Sequence, residues 1–163
     1  METSQAWAPV RAEQIIAAHL ALEGPLLPIL HALQAAFGCV PRDAVPMVAR
    51  ALNLSRAEVH GVVTFYHDFR QAPPGRRLIR VCRAEACQAR GGEAAARVLL
   101  DALDLPAGEA LSGEPWGGTT ADGAVTVEAV YCLGLCAVSP AALIDGEPLG
   151  RLDGAALAAA ARS

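Results

Sequence analysis

The stretch Arg77–Gly92, RLIRVCRAEACQARGG, runs an apolar, strand-like segment into Cys82 and, after four intervening residues, Cys87. A second pair, Cys132 and Cys136 in CLGLC, lies further along the chain. Reading outward from the first pair, Arg77–Val81 is a strand and residues 82–87 a loop. From about Gly92 to Leu103, Ala95, Val98, Leu99 and Ala102 recur at helical spacing. Within Ala124–Val130, Val125 and Val127 alternate with Thr126 and Glu128, the period of a strand, and the run leads directly into Cys132. Ala141–Ile144 is a short buried strand, Asp145-Gly146 a tight hairpin turn, and Leu149 part of the return strand. Asp153 caps a last helix of nearly pure alanine. Strand, helix, strand, strand, helix is the order of a small α/β layer.

On the other side of Arg77 the pattern is helical. Gln71-Ala72-Pro73-Pro74-Gly75 can continue neither helix nor strand and places a boundary there, with a helical region over residues 1–74 and the α/β region over residues 75–163. Arg11–Glu23 is a first helix, stopped by Gly24-Pro25. Leu26–Phe37 is a second, with Ile29, Leu30, Leu33 and Phe37 on one face and Pro28 tolerated in the first turn. Arg42–Leu52 is a third. Ser55-Arg56-Ala57-Glu58 is a capping box that starts a fourth, through Val59, Val62, Val63 and Tyr66.

At 163 residues the chain can bury roughly 70% of its unfolded surface, so a core forms without disulfide staples. That core must be mostly Ala, Leu and Val, because 53% of residues are hydrophobic and only 4% aromatic. No run reaches the roughly 20 apolar residues of a membrane-spanning helix, and METSQAWAPVRAEQ lacks the pattern of a signal peptide, so the expectation is a cytoplasmic protein without membrane insertion. A net charge of −4 argues against nucleic acid as the partner. The charge is uneven, however: Arg70, Arg76, Arg77, Arg80, Arg83, Arg90 and Arg97 face only Glu85 and Glu93 in the same segment.

In a reducing compartment, five cysteines point to metal or redox chemistry before disulfides. Each close pair follows a strand, so both loops can sit at the same edge of one sheet and converge. Two thiolates on one short loop can grip one metal ion, and Gly134 relieves the steric limit of the tight turn between Cys132 and Cys136. Four thiolates suit zinc or an iron-sulfur cluster, and spacing by itself leaves both open beside a reactive thiol pair. The arginines weigh toward the cluster, whose charge of about minus two falls to about minus three on reduction. They also fit a solvated face.

The chain is similar to a known family at HGVVTFYHDF (residues 60–69), Pro74-Gly75, Ile79-Arg80-Val81-Cys82 with Cys87, Arg90-Gly91-Gly92, and YCLGLCAVSPA (residues 131–141). It resembles the thioredoxin-like [2Fe-2S] subunits of NAD-linked oxidoreductases, which include the 24-kDa subunit of complex I and its counterpart in NAD-reducing hydrogenases. The resemblance implies an α/β, thioredoxin-like [2Fe-2S] ferredoxin domain preceded by an N-terminal helical bundle. It implies Cys82, Cys87, Cys132 and Cys136 as cluster ligands, the first pair on one iron and the second on the other. HALQAAFG (residues 31–38) and TFYHDFR (residues 64–70) look most like the gamma subunit of NAD-dependent formate dehydrogenase. By that likeness the partners are a flavoprotein subunit carrying FMN and NAD and a molybdenum-containing catalytic subunit. The chain itself shows no phosphate-binding Gly-rich loop after a strand and no grouped nucleophile and base, so its expected role is electron transfer without a substrate site. The competing reading is a non-redox interaction module folded around zinc.

His19, His31, His60 and His67 lie in the helical half, which argues against a Rieske centre with its two His ligands. Phe65, Tyr66 and Phe69, at helical spacing, read as core rather than a docking patch, and Cys39 as a small buried hydrophobe.

Overall fold

In the computed structural model, which describes residues 6–108 and 115–162, apolar residues at three- and four-residue spacing build four helices before Pro73. They are α1 (Pro9–His19), α2 (Leu26–Phe37), α3 (Ala44–Leu52) and α4 (Arg56–Phe65). Ala12, Ile15 and Ile16 of α1 pack with Ile29, Leu30, Leu33 and Phe37 of α2, and with Val48 of α3 and Val59 and Val63 of α4. Each large side chain so buried contributes about 1.5–3 kcal/mol. These helices make one compact unit, Met1–Pro73; Pro74–Ser163 make a second.

The first helix is displaced from its expected span. Pro9, whose fixed φ suits the first helical turn, starts it early, and three-residue turns from Leu20 to Ala17 and from Leu22 to His19 end it before Glu23. Beyond α4, Gln34 of α2 orders the segment by donating from Nε2 to the Asp68 carbonyl (2.7 Å) and accepting the Arg70 amide at Oε1 (2.6 Å). Phe69 is buried as expected, but Phe65 and Tyr66 are not core. Phe65 is 73% exposed and Tyr66 44% exposed. The reason is helical phase, since Val59 and Val63 already occupy the inward face and α4 ends at Phe65.

In the second unit, β1 (Arg77–Cys82) runs parallel to β3 (Val125–Val130) and antiparallel to β4 (Ala141–Ile144). The sheet is completed by β2 (Gly118–Thr119) beside β3 and by β5 (Glu147–Gly150) beside β4, in the order β2-β3-β1-β4-β5. β2, only two residues long, is too short to show a period in the sequence. Parallel neighbours need a long crossover, here carrying α5 (Glu85–Ala89) and α6 (Gly92–Ala102). Ile79 and Val81 of β1 and Val125 and Val127 of β3 bury against Ala95, Ala96 and Leu99 of α6 and Leu157 and Ala161 of α7 (Gly154–Arg162). The fold is α/β with helices ahead of it, as the resemblance implies.

Several local readings hold at atomic detail. Asp153 Oδ1 accepts the Ala156 amide (2.8 Å) at the start of α7. Asp145, at the β4–β5 turn, accepts the Leu78 amide (2.8 Å) and the Arg77 Nε (3.1 Å), fastening the hairpin to β1. At α4, Glu58 donates its amide to Ser55 Oγ (3.1 Å) and Ser55 donates its own to Glu58 Oε2 (2.8 Å).

Ser55→Ala removes one arm of that box and lowers thermal stability by about 1 kcal/mol. The two Ser55 bonds, the backbone one first, hold the Glu58 carboxyl below the usual glutamate range. A depressed folded-state pKa stabilises above the unfolded value and is lost as pH falls through the folded one. The difference between wild type and Glu58→Gln in thermal unfolding should therefore shrink on acidification below the usual glutamate range.

Candidate metal centre

Because β1 and β3 are parallel and in register from Arg77 opposite Val125 to Cys82 opposite Val130, their C-terminal ends coincide. Cys82 is the last residue of β1, and Cys132 follows β3 by two residues. The Arg83 amide donates to the Val130 carbonyl (2.8 Å), continuing the ladder into the two loops. Cys87 is returned toward Cys82 by α5, a helix of five residues where the sequence reads as plain loop. Its turn begins with the Cys87 amide donating to the Ala84 carbonyl (3.0 Å).

All five cysteines are free thiols. Cys82 and Cys87 are buried and pack with Ala141, while Cys132 and Cys136 are exposed. The Cys132 and Cys136 sulfurs stand 3.8 Å apart. Two thiolates bound at ~2.3 Å to one tetrahedral metal ion are about 3.8 Å apart, so this pair has the spacing of two ligands on one ion. The turn that sets it places Cys132 at φ 78° and Gly134 at φ 75°, and the Gly134 amide points at the Cys132 sulfur at 3.5 Å. Ser139 Oγ donates to the Cys136 carbonyl (2.8 Å) and fixes the far side of the turn.

The thiols perturb one another across the pairs. Burial pushes Cys82 up, but the amides of Ala84, Cys132 and Leu133 and the Cys87 thiol outweigh it and hold Cys82 below the ordinary thiol range. Cys87 is pushed up by burial, then by Cys82, with a smaller contribution from Cys136. Cys136 is raised first by its bond with Cys132 and then by that neighbour's charge. With Cys87 and Cys136 raised by neighbouring thiols and Cys82 facing backbone N–H donors, the group favours a cation able to take up thiolates. Among the described residues no three His, Cys, Asp or Glu side chains converge tightly enough to hold one ion. The donors stand as two pairs.

The shell around the pairs holds what the sequence did not reveal. Arg83 Nη2 and Nε bind Glu93 Oε2 at 3.1 and 3.2 Å, and its guanidinium lies 4.5 Å from the centroid of Trp116. Gln88 Nε2 donates to the Arg83 carbonyl (2.6 Å). Arg83 thereby ties the Cys82–Cys87 loop to α6. Gly92, the first residue of α6, lies so close that a Cβ there would stand 2.6 Å from the Cys87 carbonyl oxygen. Arg77 and Arg80 are also paired, with Asp145 (3.1 Å) and Glu128 (3.4 Å), so carboxylates distant in sequence offset part of the local excess of arginine. Cys39 sits in the helical unit, 6% exposed, its thiol raised by burial against a smaller opposing influence of Arg70. The four histidines belong to that unit too.

Residues 12–162 match the family described as thioredoxin-like [2Fe-2S] ferredoxin. The chain belongs to that family. Its cofactor is a [2Fe-2S] cluster, and the paired donor set fits one. Among relatives, it is 36% identical over 121 residues to an NADH-quinone oxidoreductase subunit of Pseudomonas aeruginosa, covering 73% of this chain and 68% of that one. It is 29% identical over 130 residues to the NADP-reducing hydrogenase subunit HndA of Solidesulfovibrio fructosivorans, covering 80% of this chain and 71% of the other. A crystal structure of an NAD+-reducing [NiFe]-hydrogenase superposes with a TM-score of 0.63 at 31% identity, covering 82% of this chain and 21% of the hydrogenase chain. These relatives are oxidoreductases or subunits of them.

The close approach at Gly92 gives a direct test of the loop's support. Gly92→Ala drives a methyl group into the Cys87 peptide, costs about 1–3 kcal/mol in thermal unfolding, and speeds loss of visible absorption under a chelator. Gly61→Ala, at a helical position in α4 with no atom within 4 Å of its added Cβ, serves as the control.

Proposed function

We propose that Cys82 and Cys87 hold one iron and Cys132 and Cys136 the other iron of a single [2Fe-2S] cluster, and that the chain is an electron-transfer subunit. The observation that carries the reading is the 3.8 Å pair of exposed sulfurs, which shares the end of β1 and β3 with the buried pair. A single zinc ion would need four sulfurs around one point, whereas donors standing as two pairs would suit the two irons of one cluster. When bound, the cluster accepts and releases single electrons. The chain's contribution is to fix its thiolates, to withhold water from Cys82 and Cys87, and to leave Cys132 and Cys136 at the surface where a partner can approach.

The partner in this reading is a flavoprotein subunit with FMN and NAD, because a flavin interconverts one-electron and two-electron chemistry. For the parent complex, HALQAAFG (residues 31–38) and TFYHDFR (residues 64–70) favour an NAD-dependent formate dehydrogenase with a molybdenum-containing subunit, in the cytoplasm. The similarity to HndA, to the NAD+-reducing hydrogenase and to the NADH-quinone oxidoreductase subunit favours a hydrogenase or complex I as the second reading. No helix among the described residues is long and apolar enough to cross a membrane. The domain division of the reading is a helical part over residues 1–74 and a cluster-bearing part over residues 75–163.

Anaerobically purified protein should be brown, bleach with dithionite, and contain iron matched by acid-labile sulfide; colourless protein with one zinc per chain would sink the reading. Ser at position 82, 87, 132 or 136 should disturb the visible spectrum, and Cys39→Ser should leave it intact. Co-purification with a formate-oxidising, a hydrogen-oxidising or a quinone-reducing subunit decides between the parents.

A further inference from the structure

α3 and α4 leave a groove between them that neither cysteine pair uses. It has a volume of about 580 Å³. Val40, Val45 and Val63, all buried, close its floor, while Arg42, Arg56 and His60, all exposed, stand on its rim. Arg56 and His60 are one helical turn apart on α4 and so share a face; Arg42 comes just before α3.

The rim of the groove is cationic. The whole chain carries a net charge of −4, and Arg77, Arg80, Arg83 and Arg97 each meet a carboxylate. Among the described residues neither Arg42 nor Arg56 does. Of the nearby acids, Glu58 is committed to the Ser55 amide. Two unpaired guanidinium groups beside an apolar cleft match the residue types enriched where proteins meet. A small oxyanion is a poor match, because it needs N–H and O–H donors converging on one point and this floor is valine. A polypeptide offers both an apolar side chain for the floor and carboxylates for the rim.

We propose that the α3–α4 groove docks an acidic segment of a partner subunit, with one apolar side chain on the valines and flanking carboxylates against Arg42 and Arg56. This rests on the reading of the chain as a subunit of a flavin-containing complex. Exposed charges on an interface rim act mainly on encounter rate and salt dependence. The groove therefore steers assembly at a surface separate from the cysteine ligands.

The test uses the full, cluster-loaded chain and the purified flavoprotein subunit of its complex, with association followed at low and at physiological salt. Arg42→Glu with Arg56→Glu should slow association about tenfold at low salt and flatten its salt dependence, with the glutamine pair in between. The visible spectrum should be unchanged. A photo-crosslinking amino acid in place of His60 should label an Asp- and Glu-rich segment of the complex. Association within about twofold of wild type in the double glutamate variant overturns the proposal. So does a crosslink to a neutral or basic segment, or to a second copy of this chain. Failure of the wild-type chain to bind the flavoprotein overturns the groove assignment and the subunit reading together, whereas wild-type binding that ignores the arginines overturns the groove alone.

Discussion

The parallel pairing of β1 with β3 is the constraint on which the site depends. Residues separated by α5, α6 and the β2 segment reach one end of the sheet only because the two strands run in the same direction, with Cys82 level with Val130. An antiparallel pairing would send Cys132 to the opposite edge. The register matters as much as the direction, since a one-residue slip would exchange Val125 and Val127, buried against α6 and α7, for the other face of β3. The same apolar contacts that build the core therefore set the separation of the thiols.

Much of this was legible because it rests on local chemistry. The alternation in β3, the capping box at Ser55, the Asp145-Gly146 turn and the Asp153 cap each require particular residues at fixed offsets. The two cysteine pairs were legible for the same reason. Long-range geometry was not. The amides of Ala84, Leu133 and Ala141 that face the thiols carry no sequence signal, because every residue but proline offers an amide. The Trp116 and Glu93 contacts of Arg83 join three separate segments. Phe65 and Tyr66 misled because their spacing resembles that of core residues, yet the inward face of α4 was already filled by Val59 and Val63.

Charge shows how far a count along the chain can depart from a field in space. The arginine-rich flank of the first pair looks like a cationic collar when only Glu85 and Glu93 are set against it. Folding brings Glu128 to Arg80 and Asp145 to Arg77, and Glu93 serves both Arg83 and Arg97. These pairs are partly exposed and each is worth little by itself, but Glu128 and Asp145 offset part of the excess that the linear sequence displays. Arg42 and Arg56, which meet no carboxylate among the described residues, come from stretches that no local count of charge singles out.

The arrangement of the four sulfurs also bears on chain topology. Cys82 and Cys136 bracket most of the α/β unit, so a cofactor that ligates both ends ties the intervening chain into a ring without any disulfide. Closing a long ring removes more freedom from the unfolded chain than closing a short one. Within that ring the inner thiols are buried and the outer ones exposed. Disassembly would then proceed from the outside inward, and the outer hairpin of Cys132 and Cys136 would serve as the clasp of the ring.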